Sequence, residues 1–199
     1  MNTKILIILI LPLLSLHLYA QDMQTNTDHL TGEIRVATFD DENRLIRPDN
    51  VDEWVLLGVS VGHGYPKEGE EAGFTLDNPG KMQVIQMEPG AYNFFKENKY
   101  YANGTMISLA FYETLEDPEP EIDGLAQGEL ATFEIHLLHK EKYPDDRAFF
   151  VYRGDEDLTA KIEPQENRCV QCHMAEGDFD GTFSQFYPAV RDILSERKD

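Results

Sequence analysis

Cys169, Cys172 and His173 are the residues of this chain whose types and spacing most directly specify a chemistry. They stand in the string Arg168–Cys169–Val170–Gln171–Cys172–His173, and the two cysteines are the only ones in 199 residues. A Cys-x-x-Cys-His string is the attachment signature of a c-type haem. Each thiol adds across one vinyl group of the porphyrin, and two intervening residues set the sulfur spacing that matches the two vinyls. The next residue, the histidine, is then held beneath the iron as its proximal axial ligand. Competing uses of the string fit less well. A disulfide across a two-residue gap is strained, and such bonds are usually redox-active. A thioredoxin-like pair needs a strand running into a helix within an α/β pattern, which this sequence lacks. A zinc site needs two more ligands, and no second Cys/His pair has ligand spacing. The string therefore predicts one covalent haem c, with His173 as the metal ligand.

The opposite face of the iron is the next question. Only 26 residues follow His173, and their only methionine, Met174, adjoins the proximal ligand and cannot reach round. A sixth ligand would have to come from His63, His136, His139, Met82, Met87 or Met106 upstream. Each of these residue types is more often structural than ligating, so the expectation is an open distal position. That suits small-ligand binding or substrate chemistry more than electron transfer alone.

Composition narrows the setting. There are 17 Lys plus Arg against 37 Asp plus Glu, a formal charge of −20. This excludes nucleic acid, which needs a positive face, and docking on anionic lipid. Hydrophobic residues at 41% and aromatics at 11% are too many for a disordered acidic chain. Residues 1–20, MNTKILIILILPLLSLHLYA, have the layout of a signal peptide cleaved after Ala20. A positive start at Lys4 leads into a short apolar run ending in a small residue. No cysteine lies near that point, so a lipoprotein is not expected. The remainder, 21–199, reads as one domain with no membrane span, periplasmic or otherwise exported.

The elements that must position the haem motif read as mainly β within an α+β class. Strands are expected at Glu33–Phe39, Trp54–Val61, Met82–Met87, Thr105–Glu113, Leu130–His139 and Ala148–Arg153. Pro89 opens a helix through Asn98. Asp40–Asn50, Gly62–Gly80 and the acidic Leu115–Gly128 read as connections. A helical tail carries the cysteines and continues in Phe183–Arg197, whose apolar residues have helical spacing. Alternation puts Glu134 on one strand face with Thr132, His136 and Leu138, and Leu109 with Phe111 and Ile107.

A β-rich exported domain with a late Cys-x-x-Cys-His resembles the cytochrome P-460 family, which includes the cytochromes c′-β. The resemblance spans most of 33–195. It runs through Trp54–Val55–Leu56–Leu57–Gly58, Pro89–Gly90–Ala91–Tyr92 with Phe95, and Gly104–Thr105. Ala148–Phe149–Phe150, the haem motif, Phe183 and Phe186–Tyr187–Pro188 complete it. It implies an antiparallel sheet with accessory helices, a homodimer, and one pentacoordinate haem. Some members oxidise hydroxylamine with nitric oxide; the c′-β members bind nitric oxide and similar gases at an apolar distal face. The oxidising members cross-link a lysine to the haem ring, and the matching position here is Leu109. They also use a distal carboxylate to move protons, matched here by Glu134, for which burial would raise the pKa. Leu109, Phe111 and the loop residue Phe74 would then wall the distal side.

The leading expectation is a haem protein binding nitric oxide or carbon monoxide at an open iron. Hydroxylamine oxidation through Glu134 and plain electron transfer are the alternatives. The acid excess points to a basic redox partner.

Overall fold

The computed structural model describes residues 36–63, 79–116, 124–140, 142–154 and 156–197. The segment 1–20 and Phe74 lie outside these residues. Short strands β1 (Leu45–Ile46) and β2 (Val55–Val61) come first, followed by β3 (Met82–Met87) and helix α1 (Pro89–Asn98). The long strands β4 (Thr105–Glu116) and β5 (Leu125–Leu138) follow, then β6 (Arg147–Tyr152) and the short β7 (Thr159–Ala160). Helices α2 (Arg168–Glu176) and α3 (Pro188–Ser195) close the chain. The class is mainly β, as the sequence predicts, and among the described residues no helix is long and apolar enough to cross a membrane.

Strands β2 to β6 form one antiparallel sheet in sequence order, a meander whose connections are all local. Register turns the alternation of five strands into rows on one face. Gly58, Ile85, Leu109, Glu134 and Val151 face one another across the sheet. One row over lie Ser60, Gln83, Phe111 and Thr132. On the other side lie Met87, Ile107, His136 and Phe149, followed by Thr105, Leu138 and Arg147.

Each face has its own core. On the face of these rows, Ala91, Phe94 and Phe95 of α1 and Val190 of α3 pack with Ile85, Met87 and Ile107. The other face buries Met106, Ala110, Phe133, Ile135 and Phe150 beneath Leu45 and Ala160 of the paired β1 and β7. The Tyr152 hydroxyl donates to the Leu45 carbonyl at 3.0 Å and ties that ribbon down. Helix α1 begins where Pro89 dictates, and the Glu88 side chain caps it by accepting from Ala91 N–H at 2.6 Å. Lys99, left-handed at φ 65°, ends it.

The differences from the sequence reading have identifiable causes. Val36 to Phe39 are not a strand, and Phe39 makes only a single bridge, to Leu45. The pairing partner lies inside Asp40–Asn50, where β1 is two residues long and too short for an alternation signal. The hairpin β4–β5 reaches Glu116 and starts at Leu125, inside the stretch read as an acidic loop. Gly128 reads from the sequence as the end of that loop. It is instead a close approach in the ladder, where a Cβ would sit 2.9 Å from the Glu113 carbonyl oxygen. The tail helix is split. Ser184–Phe186 form a 3₁₀ turn and Pro188 starts α3, because a residue before proline avoids helical geometry.

Candidate haem site

Asn167 starts the site. Its side chain caps α2 by accepting from Cys169 N–H at 2.8 Å, and its amide donates to Glu163 at 2.6 Å. In the helix so begun, Cys169 stands three residues before Cys172 and four before His173, so all three share one face. Neither cysteine is in a disulfide. Burial pushes the Cys169 thiol up, and the carboxylates of Glu134 and Glu163 add to that.

The helix ends at Gly177, whose N–H donates to the His173 carbonyl at 3.2 Å. A Cβ on Gly177 would come within 2.6 Å of the Gly181 backbone, so only glycine lets the chain fold back this tightly. The return turn is fastened by a bridge between Phe179 and Thr182. The Thr182 hydroxyl donates to the Phe179 carbonyl at 2.7 Å and also meets the buried Tyr101 hydroxyl at 3.1 Å. The fastened turn presents the Gly181 carbonyl to His173 Nδ1 at 2.7 Å. A carbonyl only accepts, so Nδ1 carries the proton and the Nε2 lone pair is left for a metal. This is the usual outer partner of a ligating histidine. Burial, and then the charge of Arg147, hold His173 below its ordinary pKa, which favours the neutral ring a metal requires.

His173 and Cys172 border a cavity of about 710 Å³ between the row-bearing sheet face and the C-terminal segment. Cavities of about 300–1,000 Å³ with mostly apolar walls suit cofactors. Leu57, Ile85, Ile107, Leu109 and Phe111 supply the sheet wall, and Phe183, Phe186, Tyr187 and Val190 face them. The bare nitrogen of His173, the helical thiol spacing and this volume fit a haem, for which Cys169, Cys172 and His173 would be the holding set. Among the described residues no cluster of three or more His, Cys, Asp or Glu could hold a bare metal ion instead.

The other sequence candidates separate. Leu109 and Phe111 line the cavity, and Leu109 is the cross-strand partner of Glu134. Glu134 lines it too. Burial pushes its carboxyl up to about 7, the neighbouring Glu163 adds to this, and Arg153 opposes it. Of the possible sixth ligands, Met106 is buried on the far sheet face and Met87 within the core around α1. The His139 ring nitrogen pairs with the Lys140 carbonyl, away from the cavity. His63 borders the cavity in edge contact with Phe186. His136 stacks on Phe149 with ring centres 4.3 Å apart and lies edge-on to His173 at 5.3 Å. It thus packs beside the candidate ligand.

Sequence reasoning missed the turn that holds His173, although Gly177 and Gly181 just after the motif were a signal for it. It also missed a polar strip on the β2 side. There the Ser60 hydroxyl donates to Gln83 at 2.9 Å and pairs with the Tyr187 hydroxyl, while Gln83 donates to the His63 carbonyl. Gly58 makes room for it, since a Cβ there would fall 2.6 Å from the Tyr187 ring.

No curated protein matches the chain. The family model described as Cytochrome P460 does, over residues 48–184, which take in the whole five-stranded sheet, the attachment helix and the turn behind His173. That match covers more than half of the chain, so the chain belongs to the cytochrome P460 family and is a haem-binding cytochrome.

Proposed function

We propose that the chain is an exported mono-haem c-type cytochrome, bound through Cys169 and Cys172 with His173 as the axial ligand, that takes up nitric oxide or a similar small ligand. A haem held there would supply an iron with one coordination position left for that ligand. The observation that carries the reading is the makeup of the cavity wall. Leu109 and Phe111 face the cavity where the family resemblance expects a cross-linking lysine and its surroundings, and no lysine lines the cavity among the described residues. An apolar wall favours an uncharged diatomic over an ionic substrate, because it offers little to replace lost hydration. Export follows from the signal-like residues 1–20, and homodimer pairing from the resemblance. The strong negative charge suits a basic redox partner, with an attraction that salt would weaken.

One observation favours hydroxylamine oxidation as a second reading. Glu134 borders the cavity directly across from Leu109 and is poised near neutral pH, where a carboxyl group can both give and take a proton. The two readings part in one experiment. The protein is expressed with a working haem-attachment system, stained for covalent haem on a denaturing gel, and titrated with nitric oxide. Hydroxylamine turnover is measured with an artificial electron acceptor. The first reading expects a stained band, stoichiometric nitric oxide binding and no turnover. Turnover that Glu134→Gln abolishes would replace it with the second.

A further inference from the structure

Arg147 opens β6 and sits in the sheet row next to that of His136 and Phe149. Its Nε donates to the Asp145 carbonyl at 2.6 Å, while Nη1 is buried with no hydrogen-bond partner among the described residues. The guanidinium lies against Gly181. A Cβ built on that glycine would fall 1.7 Å from Nη1 and 2.9 Å from Cζ, and Gly181 has φ 65°. The backbone therefore favours glycine at this position, and the end of the Arg147 side chain occupies the space beside it. Gly181 is also the residue whose carbonyl holds His173 Nδ1 at 2.7 Å.

Arg147 is half-buried, but a nitrogen hidden from water without a partner is costly, and a neutral side chain would fill the space at lower cost. The Arg147 guanidinium and the Nδ1 of His173 thus meet the same residue, Gly181. No Lys or Arg lines the cavity itself among the described residues.

We infer that Arg147 is a positioning and electrostatic residue for the axial histidine. Seated on Gly181, it fixes the turn that offers the carbonyl, and its charge draws electron density from the Nδ1 side of the ring. Two consequences follow from the sign of the charge. A fixed cation near an iron centre disfavours the more positive oxidised state, so the midpoint potential is raised. The carbonyl, polarised toward the guanidinium, is a weaker acceptor for Nδ1–H, so Nε2 donates less strongly to iron. Neither effect requires Arg147 to touch ligand or substrate. The inference rests on His173 as the axial ligand.

The test uses the haem-loaded full chain as wild type, Arg147→Gln and Arg147→Lys. The midpoint potential is measured by spectroelectrochemistry, and the iron–histidine stretch by resonance Raman spectroscopy of the reduced protein. Arg147→Gln should lower the potential and raise the stretching frequency, and Arg147→Lys should keep most of the wild-type potential. Arg147→Met, which removes the charge and keeps an unbranched side chain, gives the same reading if the glutamine variant does not load haem. Equal shifts in the lysine and neutral variants, or no shift in either, would overturn the proposal. A wild-type protein without covalent haem would overturn the reading of His173 and the proposal with it. A loaded protein with unchanged potential overturns the proposal alone.

Discussion

The attachment segment and the sheet wall enclose the same cavity, yet they are built in opposite ways. From Asn167 to Thr182 the backbone path is set by local hydrogen bonds: a cap two residues from Cys169, a helix, and a turn whose carbonyl reaches back eight residues to His173, with Tyr101 and Arg147 packed on it from the sheet side. On the wall, Leu109 and Glu134 meet only because β4 and β5 pair in one register. The local part carries the candidate holding residues, and the non-local part lines the space beside them.

The largest break in this comparison comes from the local side. Replacing both cysteines by serine should remove covalent haem completely, and His173→Ala should leave a haem whose reduced spectrum no longer shows a histidine-ligated iron. The sheet should persist in both, because none of these residues belongs to either core cluster. Haem staining and far-ultraviolet circular dichroism together check this. Loss of the sheet signal in the serine variant would mean that the two regions fold as one.

Next in size is Phe95→Ala. Phe95 is fully buried, stacks on Tyr101 with ring centres 4.6 Å apart, and contacts Phe179 in the return turn. The substitution should cost about 3–5 kcal/mol in urea unfolding, from lost burial plus the cavity left behind. Haem attachment should become inefficient, since the turn loses the packing beneath it. A cost under about 1 kcal/mol would place the support of the turn elsewhere.

How far the sequence could be read follows the same division. Pro89 marked the start of α1 and Cys-x-x-Cys-His the attachment helix, because both signals lie within a few residues of what they specify. The face shared by Thr132, Glu134, His136 and Leu138 was equally legible, since alternation is a local property. That Leu109 lies opposite Glu134 was not, because register depends on how two strands are paired. β1 was hidden by its length. The extension of β5 to Leu125 was hidden by the acidic, proline-bearing composition of 115–128, within which Gly128 serves the ladder's need for room. The fastening of the return turn was invisible for a further reason: Tyr101 reaches Thr182 from 81 positions away, and Arg147 reaches Gly181 from 34.

Glu134 gives a wall-side effect of intermediate size. Its pKa rises from 4.5 in the unfolded chain to about 7 in the folded one. The folded state therefore binds the proton more tightly, and this contribution is complete below 4.5. It is lost as pH rises through about 7, an effect on the order of 3 kcal/mol. Urea midpoints of the wild type should fall across that window, and Glu134→Gln should flatten the slope. A wild-type midpoint that rises with pH would show Glu134 paired with a cation.

The smallest expected effect separates the two regions most finely. Tyr101 lies just before β4, and its hydroxyl meets Thr182 Oγ1 at 3.1 Å, a contact from the sheet side to the turn behind His173. Tyr101→Phe removes that bond but leaves Thr182 donating to the Phe179 carbonyl at 2.7 Å. The cost should therefore be about 1 kcal/mol, the net worth of one hydrogen bond. Thr182→Val should cost more, because it leaves the buried Tyr101 hydroxyl without a partner, a penalty of about 1–3 kcal/mol, while the Phe179 carbonyl keeps the Thr182 N–H at 2.9 Å. Because the local bridge from Phe179 to Thr182 survives the tyrosine change, the Tyr101→Phe protein should attach haem as wild type does, whereas Thr182→Val should load less. The reverse order, with Tyr101→Phe the more damaging, would mean that the sheet rather than the local turn holds the Gly181 carbonyl in place.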